Sequence, residues 1–442
     1  MRLALHETKK TILIGAPIVA AQMIQMSMSF TDTTMAGNLS AKDLAAVAVG
    51  ASLYGPALLF CMGVLMGVSP VVAHLHGEGK TKEVGRNVWS ALWLSQLLAL
   101  PSFFLIRNME FVMKFFEIDA ELIPLAQGYL DALSWGIFAA LAYFGLRFFL
   151  EGLHITKPAM FFSLIGLAFN IVGNYVFMFG KLGFPAMGAV GTGWASALVH
   201  WVMLICIVLF TFRKSIDSKY QILKNIHLPN PKHQRELVGI GLPNGLSIGI
   251  EVSMFAIVAL IIGSVGVKTV AAHQITINFA SFTFMIPMGL SFATTARVGY
   301  AAGQNDLRKA RLIGYIGLGL STLIMSVSAV VMINWPGAIA RIYTNDVDVI
   351  ALSTSLFIYA GFFQISDGLQ VGGFGALRGL KDTKIPMLVN IFSYWLVGLP
   401  SGYWFGVRKG LGAQGLWIGL IAGLSVAAVL HNWRFYILSG KR

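Results

Sequence analysis

The stretch LVGIGLPNGLSIGIEVSMFAIVALIIG, residues 237–263, decides the fold class of this chain. It is almost wholly apolar and longer than the roughly 20 residues that a helix needs to cross a bilayer, so it predicts a transmembrane helix. Its one charged residue, Glu251, lies near the middle. A charge at the bilayer centre costs about 3 kcal/mol or more, and membrane proteins keep one there mainly to bind or move something charged.

The rest of the chain repeats this apolar pattern. Hydrophobic residues make up 56% of the 442 residues and charged residues 12%, about half the share that is usual in soluble domains. We therefore predict an all-α membrane protein with twelve transmembrane helices. Their approximate limits are 11–37, 47–73, 87–106, 122–146, 159–179, 188–212, 237–263, 269–295, 312–335, 349–377, 386–405 and 412–433.

The net charge of +13 reports membrane topology. The N-terminal tail and every second loop after it carry 24 of the 32 lysines and arginines. Cytoplasmic loops hold the excess of basic residues, so both termini are expected in the cytoplasm. Aromatic-flanked basic patches are absent, and no nucleic-acid partner is expected. The first apolar segment should be retained as helix 1, and the lack of an organellar presequence favours a bacterial inner membrane.

Two halves of the chain are related by an offset of about 226 residues. Gly15-Ala16-Pro17 returns as Gly241-Leu242-Pro243, and four further matches follow in the same order. Each half has six predicted helices, so both enter from the same side and the repeats are parallel. Transporters with such repeats bind substrate between them. We predict an N-terminal six-helix lobe at 1–212, a cytoplasmic linker at 213–236 and a C-terminal six-helix lobe at 237–442.

Three acids inside predicted helices are candidates for cation coupling. Glu251 in helix 7 has Ser247 and Phe255 one turn away. Asp367 in helix 10 precedes a glycine-rich run that could bend the helix or turn a backbone carbonyl toward a cation. Asp32 lies in the outer third of helix 1, where it could bind a cation or simply reach the membrane surface. For Glu251 and Asp367 the alternative is a buried acid that serves packing alone.

Helices 4 and 5 add weaker polar candidates. Asp131 in helix 4 is an acid at a depth similar to that of Asp32, and its role is open. Asn170 and Asn174 are one turn apart on helix 5. They either hydrogen-bond Asp32 or join helices, and the sequence does not separate these two roles.

Helix 8 combines polar and aromatic residues. Gln274 is polar in the middle of that half, and Phe284 lies further along the helix with Met285 and Met288. Such side chains could offer a soft wall to a flat cation. From the residues alone, ordinary helix filling is the better interpretation of Phe284.

Enzymatic functions find no support in the sequence. Gly79-Lys80-Thr81 resembles the end of a phosphate loop, but His74 stands where that motif needs glycine, and no strand precedes it. The nine histidines and two cysteines lack metal-ligand spacing. Cys61 and Cys206 both fall inside predicted helices, where a disulfide is not expected. We predict a transporter without a cofactor that is driven by an ion gradient.

The motifs in combination resemble those of the multidrug and toxic compound extrusion (MATE) family, NorM branch, over essentially the whole chain. They are FTDTTMAG around Asp32, EVSMFAIVAL from Glu251, VAAHQ at 270–274, QISDGLQ around Asp367, LHITKP and ALRGLKDT. The resemblance implies a V-shaped arrangement of the two six-helix lobes. It also implies a secondary active exporter that antiports organic cations, such as fluoroquinolones and dyes, against sodium or protons by alternating access.

The resemblance implies roles for single residues. Glu251 and Asp367 match the family's cation-site acids in the C-terminal lobe, and Asp32 matches its N-lobe acid. The positions expected to contact drug are Phe255, Gln274, Phe284 and, by our own assignment, Asn174.

The identity of the coupling ion is the most detailed expectation. The DinF branch of the family places a second Asp on helix 5, where this chain has Asn174. This departure argues against a two-carboxylate proton site in the N-terminal lobe and favours coupling through the C-terminal lobe. We expect sodium held by Glu251 and Asp367, with protons as the alternative.

Two other functions are alternatives to export. A lipid-linked oligosaccharide flippase of the same superfamily would line its cavity with Arg and Lys for a pyrophosphate headgroup, whereas the predicted spans hold acids and almost no bases. An ion channel or receptor fits two pseudo-symmetric halves less well than alternating access does. The expected protein is a monomer whose partners are lipophilic cationic drugs and membrane lipids.

Overall fold

A computed structural model describes residues 2–440, and all of their regular structure is helical. Eleven helices in this part of the chain are long and apolar enough to cross a membrane, and one bent pair makes a twelfth. We label them α1 to α12: Arg2–Leu39, Ala41–Gly77, Thr81–Arg107, Ile123–Ser134 with Ile137–Gly152, Lys157–Met178, Ala189–Thr211, Pro231–Gly263, Val267–Gly303, Leu307–Asn334, Val347–Gly379, Lys384–Arg408 and Gly412–Gly440. The predicted all-α membrane fold is confirmed.

Several of these helices depart from regular α geometry. The two parts of α4 meet at an angle of 48°. π-helical turns occur at Asn174–Met178 in α5 and at Ile391–Gly398 and Trp404–Arg408 in α11. Such turns insert an extra residue and often mark functional positions. Short helices outside the spans are Glu110–Phe115, Lys214–Tyr220, the 3-10 turn Leu223–Asn225 and Pro336–Tyr343.

The chain forms two compact units. Ala20–Gly245 form the first, which we call the N-unit, and Met1–Val19 with Leu246–Arg442 form the second, the C-unit. The division falls inside α1 and α7, whereas the predicted lobes divide the chain at the linker.

Close packing explains why the beginning of α1 belongs to the C-unit and the beginning of α7 to the N-unit. Within the C-unit, a Cβ on Gly15 would lie 2.8 Å from Cδ2 of Leu290 on α8. Within the N-unit, a Cβ on Gly241 would overlap the carbonyl oxygen of Val64 on α2. At Gly241 the neighbour is backbone, so only glycine permits the approach, whereas at Gly15 the neighbour is the end of a leucine side chain. Gly15 and Gly241 are repeat equivalents, as are Val64 and Leu290, so the same contact occurs once in each unit.

The glycine-rich run after Asp367 lies within a continuous α-helix and packs against neighbouring helices. α10 is one continuous α-helix from Val347 to Gly379 and packs against α8, α9 and α12. A Cβ on Gly372 would lie 2.9 Å from the Cα of Leu318, and one on Gly375 would overlap the hydroxyl of Ser291. The glycines let neighbouring helices approach, and the carbonyls of a continuous helix are engaged in its own hydrogen bonds.

Three buried arginines lie just beyond the predicted spans, because the helices are longer than the apolar segments. The Nε atom of Arg147 donates to Glu151 at 2.8 Å. Arg297 forms an ion pair with Glu7. Arg378 donates from Nε to the hydroxyl of Thr295 on α8 at 3.0 Å. The expectation of almost no bases concerned the predicted spans and is not changed by these three arginines, all of which are bound by neighbouring side chains.

Candidate functional site

Two carboxylates lie together in the interior of the C-unit. Asp367 of α10 is 4% exposed and Glu251 of α7 is half-buried. They are near enough to interact electrostatically as like charges. Two neighbouring carboxylates in a poorly solvated site cannot both stay charged cheaply unless a proton or a cation neutralises part of their charge. The pair can therefore bind a proton or a cation.

The hydroxyl of Tyr394, which is not among the predicted site residues, belongs to the same cluster. Tyr394 is fully buried, and both Glu251 and Asp367 act on it electrostatically. Its hydroxyl has no hydrogen-bond partner within residues 2–440, and neither does the side-chain amide of Asn390 one turn earlier. Buried polar groups normally have partners, so orphaned ones mark a place for water or a ligand. The available signal was an Asn and a Tyr four residues apart in a predicted span.

An aromatic pair lies one helical turn from the two acids. Phe255 follows Glu251 by one turn on α7, and Phe363 precedes Asp367 by one turn on α10. Their rings meet edge-on with centroids 6.0 Å apart. Phe363 continues to Trp417 at 5.5 Å, and both of these are core residues. Phe255 is the partly exposed member, so it is the one that can contact a ligand.

Gln274 and Phe284 lie on α8 without a visible link to the acids. The Gln274 side chain is exposed, and Phe284 is half-buried. Within the described part of the chain, no hydrogen bond or ring contact joins either residue to Glu251 or Asp367. Their assignment to drug contact stays a prediction.

Asp32 of α1 accepts three side-chain hydrogen bonds in the N-unit. The amide nitrogens of Asn170 and Asn174 donate to its Oδ1 at 2.8 and 2.6 Å, and the hydroxyl of Ser196 on α6 donates to Oδ2 at 3.3 Å. Of the two roles considered for the asparagines, the structure shows hydrogen bonding to Asp32. Ser196 was missed, and no sequence signal singles it out.

The Asp32 cluster is rich in oxygen. The Oδ1 atoms of Asn170 and Asn174 are buried and have no partner among residues 2–440. The carboxylate, the two amide oxygens and the hydroxyl are oxygens of the kind that hard cations bind, and in this arrangement the amide nitrogens face the carboxylate. No group of three or more His, Cys, Asp or Glu side chains suited to a metal occurs in that range.

Asp131 has a local partner. Gln127, one turn earlier on α4, donates to its Oδ1 at 2.9 Å. The same Gln127 amide donates to the backbone carbonyl of Arg107 at 3.2 Å, which ties the end of α3 to α4. Asp131 thus belongs to a helix-joining contact.

The two halves of the chain also match a known family. The sequence profile described as MatE matches residues 17–176 and 243–404, which together exceed half of the chain. The chain belongs to the MatE family. The resemblance to MATE transporters predicted from the motifs is confirmed.

Curated relatives of this MatE protein match it over nearly its whole length. The multidrug resistance protein NorM of Aliivibrio fischeri is 40% identical over 432 residues, which are 97% of this chain and 94% of the relative. The multidrug resistance protein MdtK of Yersinia pseudotuberculosis is 39% identical over 429 residues, 96% and 94% of the two chains.

Solved structures confirm the fold of this MatE protein. The eukaryotic MATE transporter AtDTX14 has a TM-score of 0.87 at 19% identity, over 99% of this chain and 97% of that chain. A MOP superfamily transporter from Pyrococcus furiosus has a TM-score of 0.89 at 21% identity, over 98% and 96%. MatE proteins are multi-pass membrane transporters that use ion-coupled transport, and they are not enzymes.

Proposed function

We propose that this MatE protein is a secondary active multidrug exporter that antiports lipophilic organic cations against sodium by alternating access. The observation that carries the proposal is the pair of neighbouring acids, half-buried Glu251 and buried Asp367, beside an aromatic contact in the C-unit. The names of the curated relatives, multidrug resistance proteins, support the export of drugs.

Competition for one negative site couples the two cations. With both acids charged, their repulsion in a poorly solvated interior favours binding of a positive partner. Sodium would be held by the carboxylates of Glu251 and Asp367, with the orphaned hydroxyl of Tyr394 as a neutral oxygen ligand. A drug cation neutralises the same charge, so binding of one cation weakens binding of the other. Protons remain the alternative coupling ion.

The Asp32 cluster is proposed as a second cation-accepting position that helps to select the drug. The Asp32 carboxylate is stabilised by three hydrogen bonds. The free amide oxygen of Asn174 can accept a hydrogen bond from a drug or act as a ligand to a cation. The remaining drug contacts are assigned to Phe255, Gln274 and Phe284.

We also propose a membrane, an oligomeric state and a topology for the protein, and the charge pattern supports the topology. We assign it to a bacterial inner membrane as a monomer, with both termini and the linker 213–236 in the cytoplasm. The lobes 1–212 and 237–442 remain our division of the chain into its two functional repeats.

A flippase for a lipid-linked pyrophosphate is disfavoured on a specific observation. The buried arginines that could bind such a headgroup are engaged in the units themselves. Arg147 is paired with Glu151, Arg297 with Glu7, and Arg378 is hydrogen-bonded to α8.

Substrate charge tests the proposed function. In proteoliposomes holding an imposed cation gradient, we expect export of ethidium, a flat organic cation, and no export of an anionic dye of similar size. Asp131→Asn, which removes an acid with a local partner, should leave ethidium export unchanged. Equal transport of both dyes would contradict the proposal.

A further inference from the structure

The linker between α6 and α7 is docked on α3. In the short helix Lys214–Tyr220, Tyr220 is buried, and its carbonyl oxygen lies so close to Gly85 of α3 that a Cβ there would overlap it. Two indoles of α3 then hold the chain that follows. Trp89 donates to the carbonyl of Ile222 and Trp93 to that of His227, each at 3.0 Å.

These indoles place the linker at the depth of the membrane boundary. The apolar segment of α3 begins near residue 87. Trp93 is therefore about 9 Å along the helix from that point, at a rise of 1.5 Å per residue. Tryptophan is enriched at the interface between headgroups and hydrocarbon. The linker carbonyls that accept from Trp89 and Trp93 therefore lie at the depth of this interface.

The outward surface of this segment is both apolar and basic. Leu223, Ile226 and Leu228 are 49%, 61% and 80% exposed. Leaving three large aliphatic side chains in water is unfavourable. Lys214 and Lys224 of the same linker are also exposed, and neither joins an ion pair in the described part of the chain.

We propose that residues 213–230, which we name the linker platform, bind an anionic phospholipid leaflet. Leu223, Ile226 and Leu228 enter the boundary between headgroups and acyl chains, and the lysines bind lipid phosphates. A basic surface with exposed apolar residues is the pattern that binds such leaflets. The platform carries four basic residues, and its one acid, Asp217, is already bonded to the backbone of Leu223 at 2.8 Å. Only the assignment of this leaflet to the cytoplasmic side rests on the proposed function and topology.

The first experiment measures insertion in the full-length protein. A bimane label is placed at Ile226→Cys after both native cysteines are replaced by alanine, and the protein is put in nanodiscs of phosphatidylcholine with or without phosphatidylglycerol. We expect the label to be shielded from aqueous acrylamide, and more strongly when phosphatidylglycerol is present. A label at Lys181→Cys, in the exposed α5–α6 loop, serves as the accessible reference.

The second experiment tests the charge. Short-chain phosphatidylglycerol is titrated into the labelled protein in detergent at low salt. The variant with Lys214→Gln, Lys219→Gln and Lys224→Gln should bind about fivefold more weakly for each lysine removed, with phosphatidylcholine binding unchanged. A matched triple variant of Lys157, Lys181 and Lys409 to Gln should bind both lipids like the parent.

Three results would overturn the proposal. The first is equal acrylamide quenching of the labels at Ile226→Cys and Lys181→Cys, and the second is equal affinity of the parent for the two lipids. The third is shielding that appears only when two copies share a nanodisc, which would assign the surface to self-association. The nanodisc leaflets have equal composition and no transport is measured. Failure here is therefore distinct from failure of the proposed export function.

Discussion

Replacing Asp32 by alanine removes the acceptor of three side-chain hydrogen bonds and strands two buried asparagine amides. In soluble proteins a hydrogen bond to a charged group contributes about 1.5–3 kcal/mol. Inside membrane proteins such bonds average about 0.6 kcal/mol, because unfolded helices in the bilayer find other partners. The lower figure applies here, so three bonds and the stranded amides predict a loss of about 2–3 kcal/mol in unfolding free energy. Asp32→Asn keeps one acceptor oxygen and should lose only about 1 kcal/mol.

Unfolding in mixed micelles by titration with dodecyl sulfate, followed by circular dichroism, measures this loss. The matched control is Asp131→Ala, because that acid accepts one bond from Gln127 on its own helix and should lose less than about 1 kcal/mol. If Asp32→Ala and Asp131→Ala lose the same free energy, the three-bond cluster does not stabilise the N-unit as argued. If Asp32→Asn loses as much as Asp32→Ala, hydrogen bonding is not the source of the effect.

Three further predictions concern the C-unit. Glu251→Gln and Asp367→Asn should each abolish gradient-driven export while the protein still inserts, because the amides keep the side-chain shape but remove the charge. Coupled export by either variant at the parent rate would show that the acid is structural. Phe255→Ala should raise the apparent KM for a flat aromatic cation about tenfold, since a desolvated cation–π contact is worth about 1–2 kcal/mol, and an unchanged KM would remove Phe255 from the drug site. Gly372→Leu should prevent recovery of folded protein on size-exclusion chromatography, because α9 leaves no room for a side chain; a monodisperse, active variant would contradict the packing described.

The sequence was sufficient for the membrane-spanning architecture. A transmembrane helix satisfies its own backbone, so length and apolarity alone identify it, and the 226-residue repeat gives the two halves. Depth in the membrane could also be estimated for Glu251 and Asp367. The role of the glycine run after Asp367 stayed open, because glycine serves both a bend and a close helix approach, and the close approach is visible only once the neighbouring helices are known.

Lateral neighbours could not be predicted in the same way. Tyr394 and Ser196 join the acid clusters because α11 and α6 pack beside the acids, and a single sequence specifies depth along a helix but not the helix opposite. The first residues of α1 and α7 join the other half's helices for the same reason. Their contacts at Gly15 and Gly241 depend on shapes that no periodicity encodes.

The coupling ion tests the central claim most directly. Proteoliposomes loaded with ethidium are given an inward sodium gradient at equal clamped pH, and a parallel set receives a pH gradient in sodium-free buffer. We predict that the sodium gradient alone drives export, because Glu251, Asp367 and the free hydroxyl of Tyr394 offer the oxygens that a sodium ion needs. No export with sodium at clamped pH, together with export driven by the pH gradient without sodium, would contradict the sodium assignment.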